Sequence, residues 1–228
     1  MSGLKQAAAD LGLDFNNEKL LRQALTHLSN VYEHNLPLLD SNEKLEFLGD
    51  TILGYVITNI IYARFPDLSE GQLSKFRARL VNTGILADVA REINLGSHLL
   101  LGHGEEVSGG RDKTSILANS FEAIIGAYYL DQGLDAAHDF IFRLFEKRVD
   151  EESTKEASAD FKTRLQELTV KKFGLAPEYN IYKETGPDHH KMFHAQVSVG
   201  RHVYGKGKGT SKKEAEQAAA KEALQILE

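Results

Sequence analysis

The sequence is dominated by one stretch, Asn42-Glu43-Lys44-Leu45-Glu46-Phe47-Leu48-Gly49-Asp50. Its pattern predicts a helix in which Glu43, Glu46 and Asp50 lie at i, i+3 and i+7 and point the same way. Like charges on one helical face repel, and no Lys or Arg lies on that face to relieve them. The pattern therefore indicates a missing positive charge, for which a divalent metal ion is the first hypothesis.

An ordinary solvated surface is the alternative explanation for this acidic face. The opposite face has the pattern of a core stripe, formed by Leu45, Leu48, Ile52, Tyr55 and Val56. The acidic face, however, also carries Phe47 and continues through Gly54 to Ile57. A water-facing surface does not need these residues, so a second structural partner is expected on this side of the helix.

A second helical pattern, Ser115 to Leu130, offers that partner. Its core stripe is Ile116, Leu117, Phe121, Ile124, Ile125 and Tyr128. Its other face is rich in small residues, which let another backbone come close, and it carries Asn119 and Glu122 at i and i+3. Two helices meeting there would gather four oxygen-bearing side chains into a cluster of the kind that Mg²⁺ prefers. These are Glu46, Asp50, Asn119 and Glu122.

Both segments resemble motifs of the ribonuclease III family: 42–50 is similar to the family signature, and 115–123 to its second acidic motif. Three further segments match in kind, namely Ala24–His27, Phe65–Gly71 and Ser108–Gly110. The resemblance implies an all-α catalytic domain, a homodimer and Mg²⁺-dependent hydrolysis of double-stranded RNA, with Mn²⁺ as a substitute. It also implies 5′-phosphate and 3′-hydroxyl ends with short 3′ overhangs, made in precursors of ribosomal RNA and of some messenger and transfer RNAs.

The resemblance also implies roles for individual residues. The metal ligands would be Glu46, Asp50, Asn119 and Glu122. Asp50 and Glu122 would act directly in catalysis, with Glu43 and Glu70 as accessory acids nearer the RNA or the water. Phe47 would insert into the partner subunit. Two of these roles have structural alternatives, because Glu70 lies in a capping box from Ser69 to Gln72 and an aromatic residue such as Phe47 is most often part of a core.

Position 119 departs from the family pattern, which most often has Asp there. An amide oxygen can bind Mg²⁺ but adds no negative charge, so metal affinity should fall and a second ion should be harder to hold. This leaves two further hypotheses beside the endonuclease. One is a catalytically weak protein that binds double-stranded RNA. The other is a helical metal phosphohydrolase for small nucleotides with an RNA-binding tail, although such enzymes usually show His-Asp pairs and no His accompanies these acids.

Composition predicts an intracellular protein of two domains. The chain has 228 residues and 42% hydrophobic content, enough for two cores. It has no Cys, which excludes disulfides and thiolate metal sites. The N-terminus lacks the layout of a signal peptide, and no apolar run approaches a membrane span. We therefore expect a cytoplasmic location and no membrane partner. No small-molecule cofactor is expected.

A composition shift predicts the domain boundary. Residues 150–158 are polar and acidic without apolar periodicity, which indicates a flexible linker between a helical domain (1–149) and a second domain (159–228). From Ala159 onward there are 12 Lys and Arg against 9 Asp and Glu, whereas the preceding part has 15 against 24. The C-terminal part is thus the one suited to contact phosphates.

The C-terminal part resembles a double-stranded RNA-binding domain of α-β-β-β-α order, an α+β fold. The resemblance is carried by 161–168, 186–193 and 205–216, and Met192–Val199 alternates as a half-buried strand should. The Gly-Lys alternation from Gly205 lacks the ending of a P-loop.

The resemblance implies which side chains contact RNA. They are Thr163, Gln166 and Glu167 in the first helix, Pro187 and His189 in a loop, and Lys212 and Lys213 at the start of the last helix. Such domains recognise the shape of roughly 16 base pairs with little sequence preference. The alternative is ordinary solvated surface, which each of these residues could form on its own.

Overall fold

A computed structural model of the chain describes residues 3–159, 161–187 and 191–228. Backbone contacts divide the chain into two units, Met1–Asp150 and Glu151–Glu228. The first unit is helical, as predicted, and the second contains a three-stranded sheet. The α-helices that begin in the first unit are α1 (Gly3–Asp10), α2 (Glu18–Leu25), α3 (Leu28–Glu33), α4 (Glu43–Arg64), α5 (Glu70–Leu80), α6 (Thr83–Glu92), α7 (His103–Val107), α8 (Thr114–Gln132) and α9 (Leu134–Ala159). Short 3-10 helices lie at Leu38–Asp40, Leu95–His98 and Gly110–Asp112.

The backbones of α4 and α8 touch at two glycines. A Cβ added to Gly49 would lie 1.7 Å from the carbonyl oxygen of Glu122, and one added to Gly126 would lie 2.2 Å from that of Leu45. Only a residue without a side chain fits at either position. The prediction that small residues on the second helix allow a close backbone approach is confirmed.

The core of the first unit surrounds this helix pair. The predicted core stripe of α8 is buried apart from Tyr128, which is half-buried. The stripe predicted for α4 is only partly correct, because Tyr55 is 54% exposed whereas Ile57, assigned to the acidic face, is fully buried. The cause is α8, which packs on the Gly49 side of α4. The buried residues of α4 are therefore those that face this side. No helix in the described parts of the chain has the length and apolar character needed to cross a bilayer.

The structure differs from the sequence analysis at the predicted linker. The helix α9 continues through residues 150–158 to Ala159. Glu, Lys and Ala favour helix, so a polar segment can extend a helix that a packed core has already nucleated. Asp150 forms an ion pair with Arg64 of α4. The flexibility of the segment and the domain limits 1–149 and 159–228 remain predictions.

The second unit has the predicted α-β-β-β-α order. Its elements are α10 (Phe161–Phe173), β1 (Glu178–Thr185), β2 (Met192–Val199), β3 (His202–Gly209) and α11 (Lys212–Leu227). The strands are antiparallel in the order β1-β2-β3. Ala195, Val197 and Val199 of β2 are buried and Phe193 is half-buried, so the predicted alternation is confirmed.

The Gly-Lys alternation in β3 has a packing cause. Gly205, Gly207 and Gly209 lie against α11, and a Cβ at Gly207 would lie 2.2 Å from the carbonyl oxygen of Ala215. The facing side of α11 is correspondingly small, with buried Ala215, Ala219, Ala220 and Ala223. Because side chains alternate across a strand, the lysines between these glycines point away from α11.

We expect Gly49→Ala to lower the melting temperature, because the new methyl group must push α4 and α8 apart. Overpacking of this kind costs about 1–3 kcal/mol. Gly71→Ala in α5 is the matched control: no atom lies within 4 Å of its added Cβ, and an unhindered Gly→Ala change in a helix stabilises by about 0.5–1 kcal/mol. Circular dichroism melting measures both variants, and equal melting temperatures would contradict the backbone contact.

Candidate active site

Two helices supply the predicted metal ligands. Glu46 and Asp50 are on the first two turns of α4, and Asn119 and Glu122 are on α8. The backbone contact between the helices brings these side chains together. The carboxylate of Glu46 is hydrogen-bonded to the side chain of Asn119, and the carboxyl group of Glu122 lies within the electrostatic influence of Asp50 and Glu46. These four residues are called the acid cluster below.

The negative charges of the acid cluster are not balanced by neighbouring positive charges of the described residues. Burial, followed by the charges of Asp50 and Glu46, raises the pKa of Glu122 to about 7. The pKa of Glu46 is also raised, first by burial and then by Glu43 and Asp50, although its hydrogen bond to Asn119 acts in the opposite direction. The carboxyl groups therefore repel one another in the metal-free protein.

The donor set of the acid cluster fits a hard divalent cation. Carboxylate and amide oxygens are the ligands that Mg²⁺ and Mn²⁺ accept, and a cation would remove the repulsion that raises the two pKa values. In the part of the chain that the structure describes, no three His, Cys, Asp or Glu side chains are already arranged as a closed metal-binding group. The donor atoms are thus of the kind that Mg²⁺ binds, but the side chains would have to move closer together to coordinate the ion.

A cleft of about 360 Å³ opens beside the acid cluster. It is lined by His27, Leu28, Ser29, Tyr32, Asn42, Glu43, Glu46, Ser115, Ile116 and Asn119. Sequence reasoning assigned no role to His27, Ser29, Tyr32 or Ser115. The signal available for His27 was its place in the segment Ala24–His27, just before a helix start, where a side chain can cap the helix.

Hydrogen bonds hold His27 in one orientation on the cleft wall. Its Nδ1 accepts the backbone N–H of Ser29 at 3.2 Å and lies 2.8 Å from the Ser29 hydroxyl. That hydroxyl oxygen accepts the backbone N–H of Gly102 at 2.9 Å. Burial lowers the pKa of His27, against the opposing influence of Glu105 and Glu43. The lowered pKa favours the neutral imidazole, which carries its proton on Nε2 because Nδ1 accepts an N–H.

The backbone on either side of His27 is equally constrained. The N–H of His27 donates to the carbonyl oxygen of Leu100 at 3.0 Å, and the N–H of Asn42 donates to that of Thr26 at 2.9 Å. Arg111 stabilises the next segment of the wall by donating to the carbonyl oxygens of Gly96 and Leu99, each at 2.9 Å. These long-range contacts make the cleft part of the folded framework.

The two predicted accessory acids occupy different places. Glu43 lines the cleft, and its carboxylate accepts the hydroxyl of Ser41 at 3.3 Å. Glu70 starts α5 outside the cleft, where its carboxylate accepts the hydroxyl of Ser74 at 3.0 Å. The capping box is present, with the N–H of Ser69 donating to Gln72 at 2.8 Å. Within one chain, Glu43 lies near the acid cluster and Glu70 is not brought to it.

Phe47 is an exposed residue, so the alternative that it belongs to the core of its own chain is wrong. Its side chain is 79% exposed on α4. A second cavity of about 550 Å³, here called the α4–α5 cavity, lies along the same helix. Its lining residues are Asp50, Thr51, Gly54, Tyr55, Thr58, Arg77 and Val81. Asp50 thus joins the acid cluster to this cavity.

The predicted RNA contacts of the second unit are accessible. Thr163, Gln166 and Glu167 are exposed on α10, and their i, i+3 and i+4 spacing places them on one side of that helix. Lys212 and Lys213 are exposed at the start of α11, whose N-terminus is capped by Ser211. Pro187 is also exposed. His189 lies outside the described residues.

The acid cluster predicts a pH-dependent effect of Glu122→Gln on stability without metal. The pKa of Glu122 in the folded protein is about 7, above the ordinary value near 4.3. Between these two pH values the folded protein keeps a proton on Glu122 that the unfolded chain has lost. The free energy of unfolding therefore falls as the pH rises toward 7, and above pH 7 the folded protein carries the full cost of the charged carboxylate. In EDTA, Glu122→Gln should therefore raise the melting temperature at pH 8, with a smaller gain at pH 5. Glu146→Gln, at an exposed position of α9, is the control; a pH-independent gain for Glu122→Gln would contradict the repulsion.

Comparison with known proteins assigns a family to each of the two units. Residues 17–148 match the family model described as ribonuclease-III-like, and residues 161–227 match the double-stranded RNA binding motif. Ribonuclease 3 of Thermobifida fusca is 53% identical over 208 residues, which cover 91% of this chain and 85% of that protein. Ribonuclease 3 of Dehalococcoides mccartyi is 46% identical over 228 residues, covering 100% of this chain and 96% of that protein.

Solved structures support the same assignment. A structure of the nuclease domain of ribonuclease III from Campylobacter jejuni, which describes flexibility in a region involved in dimer formation, has a TM-score of 0.56 and 40% identity, covering 64% of this chain and 96% of that one. Dicer from Pichia stipitis has a TM-score of 0.51 and 29% identity, covering 93% and 96%. With paired acidic helices in one unit and a double-stranded RNA binding motif in the other, the chain belongs to the ribonuclease III family of endonucleases.

Proposed function

We propose that this chain is a Mg²⁺-dependent endoribonuclease that cuts double-stranded RNA and leaves 5′-phosphate and 3′-hydroxyl ends with short 3′ overhangs. The observation that carries the proposal is the acid cluster, in which burial and neighbouring acids raise the pKa of Glu122 to about 7. A group of this kind is typical of an active site that is completed by a cation. The relatives cited above are named as ribonucleases, which supports cleavage and gives no support to a protein that only binds.

Glu46, Asp50, Asn119 and Glu122 would hold the ion. A bound Mg²⁺ lowers the pKa of water and neutralises charge on the phosphate, and Mn²⁺ can supply the same chemistry. Asp50 and Glu122 would orient the attacking water, while Glu43, which lines the cleft, would act nearer the RNA. Asn119 supplies an oxygen but no charge. We retain Glu70 as an accessory acid only as a prediction, because in one chain it lies away from the acid cluster.

The second unit would hold the duplex. The shallow groove of A-form RNA presents 2′-hydroxyls, which Thr163, Gln166 and Glu167 can contact from one side of α10. Pro187 and His189, which stand between β1 and β2 in the sequence, are proposed for a second shallow groove. Lys212 and Lys213 would bind phosphates at the N-terminus of α11, where the helix dipole adds to the attraction. Binding of this kind follows the shape of the duplex.

We also propose a homodimer formed through α4. Phe47 and Tyr62 are 79% and 71% exposed on this helix, and a second copy of the chain would cover their rings. The α4–α5 cavity on the same helix offers space for an aromatic ring of the second copy. The structure from Campylobacter jejuni, concerned with dimer formation, supports the proposal. The expected substrates are precursors of ribosomal, transfer and messenger RNA, and a cytoplasmic location is part of the same proposal.

The test is digestion of a long, perfectly paired RNA by the purified protein. Short duplex products should form with Mg²⁺ and not with EDTA, and a single-stranded RNA of the same length should stay intact. Glu122→Gln should abolish cleavage while the protein still retards the duplex on a native gel, because the substitution leaves the second unit unchanged. Cleavage by Glu122→Gln at the full rate would overturn the site assignment, and intact RNA with the unmodified protein would overturn the function.

Asn119→Asp tests the role of the amide. The substitution adds a negative charge to the acid cluster and removes the side-chain N–H that is hydrogen-bonded to Glu46. We expect the Mg²⁺ concentration for half-maximal cleavage to fall severalfold, because affinity for such ions rises with the charge of the ligands. The metal-free melting temperature at pH 8 should also fall. An unchanged Mg²⁺ requirement would place position 119 outside the metal site.

A further inference from the structure

Within the second unit, both described helices leave one face of the sheet open, because α11 packs on the other face. Ala195 and Val197 of β2 and the glycines of β3 pack toward α11. Residues between them therefore point to the opposite side. In the register of the sheet, His194 pairs with Lys208 and Gln196 pairs with Lys206. These four side chains form one continuous patch across two strands.

The edge strand β1 adds an aromatic ring to this patch. The register between β1 and β2 shifts after Ile181, so that Tyr182 is an extra residue and Lys183 pairs with His194. The ring centres of Tyr182 and His194 are 6.0 Å apart, and Nζ of Lys206 lies 6.0 Å from the centre of the Tyr182 ring. Tyr182 nonetheless remains 47% exposed. The surface is here called the open sheet face and consists of Tyr182, Lys183, His194, Gln196, Lys206 and Lys208.

The open sheet face is positively charged. Residues 192–209, which form β2, β3 and their turn, contain Arg201, Lys206 and Lys208 and no Asp or Glu. Among the described residues, Glu184 pairs with Lys191 at 3.0 Å, and Glu222 of α11 accepts the backbone N–H of Lys206. Glu178 lies opposite Ser198 at the far end of the sheet. A polyanion is the complementary partner.

We propose that the open sheet face binds unpaired RNA. A flat strand surface with an exposed aromatic ring gives a base something to stack on, and lysines on the neighbouring strands meet the phosphates that flank it. The three strands span roughly 10 Å, which suits a run of two or three nucleotides. An acidic peptide would pair with the lysines, but its carboxylates would not stack on the ring of Tyr182.

This site would lie on the opposite face of the sheet from α11, which carries the lysines proposed for duplex binding. The chain would then hold a duplex on its helical side and an unpaired flank or loop on its open sheet face. The inference goes beyond the proposed function and does not depend on it, because it involves neither the acid cluster nor a metal ion.

The test is fluorescence anisotropy of a labelled oligouridine of eight nucleotides with the full-length protein in EDTA at low salt. Tyr182→Ala should weaken binding about tenfold, the loss expected for one stacked base, whereas Tyr182→Phe should retain it. Lys206→Gln with Lys208→Gln should also weaken it. Lys212→Gln with Lys213→Gln is the matched control, expected to weaken binding of a paired RNA and leave oligouridine binding unchanged.

Three results would overturn the inference. The first is no oligouridine binding at low salt. The second is a loss in the Lys212/Lys213 variant equal to that in the Lys206/Lys208 variant, which would assign the oligouridine to the duplex surface. The third is equal binding of polyglutamate and oligouridine, both unaffected by Tyr182→Ala, which would indicate a surface for acidic proteins. A cleavage assay on paired RNA is a separate readout, so failure here leaves the proposed function intact.

Discussion

The backbones of α4 and α8 meet at Gly49 and Gly126, and the active-site region depends on this contact. A Cβ at either glycine would overlap a carbonyl oxygen of the other helix, so no other residue allows so close an approach. The same contact carries Glu46 and Asp50 up to Asn119 and Glu122. The helix packing therefore also positions the metal ligands, because any change that separates the helices also separates the ligand oxygens.

This closeness has an electrostatic cost that the metal-free protein does not offset. Burial and neighbouring acids raise the pKa of Glu122 to about 7, and no cationic side chain of the described residues lowers the pKa of Glu122 or of Glu46. A divalent cation is the simplest group that would relieve both. The second unit also has a close backbone contact, between the glycines of β3 and the alanines of α11, but this contact brings no charged groups together. Its lysines are thereby left on the surface, where phosphate can reach them.

Local pattern was sufficient for much of this architecture. The spacing of the acids on α4 and of Asn119 and Glu122 on α8 predicted their faces, and the small residues predicted the contact. Tyr55 was misassigned because the direction from which α8 packs is a tertiary fact. His27 received no role because its place on the cleft wall depends on Leu100 and Gly102, more than 70 residues away. The helix through 150–158 was missed because a run of polar residues carries no apolar periodicity from which a helix can be predicted.

The most direct measurement of the central claim is the anomalous scattering of Mn²⁺ in crystals of the protein. The account predicts an ion held by oxygens of Glu46, Asp50, Asn119 and Glu122, between the cleft and the α4–α5 cavity. An ion bound elsewhere on the chain, or none at a saturating Mn²⁺ concentration, would contradict it.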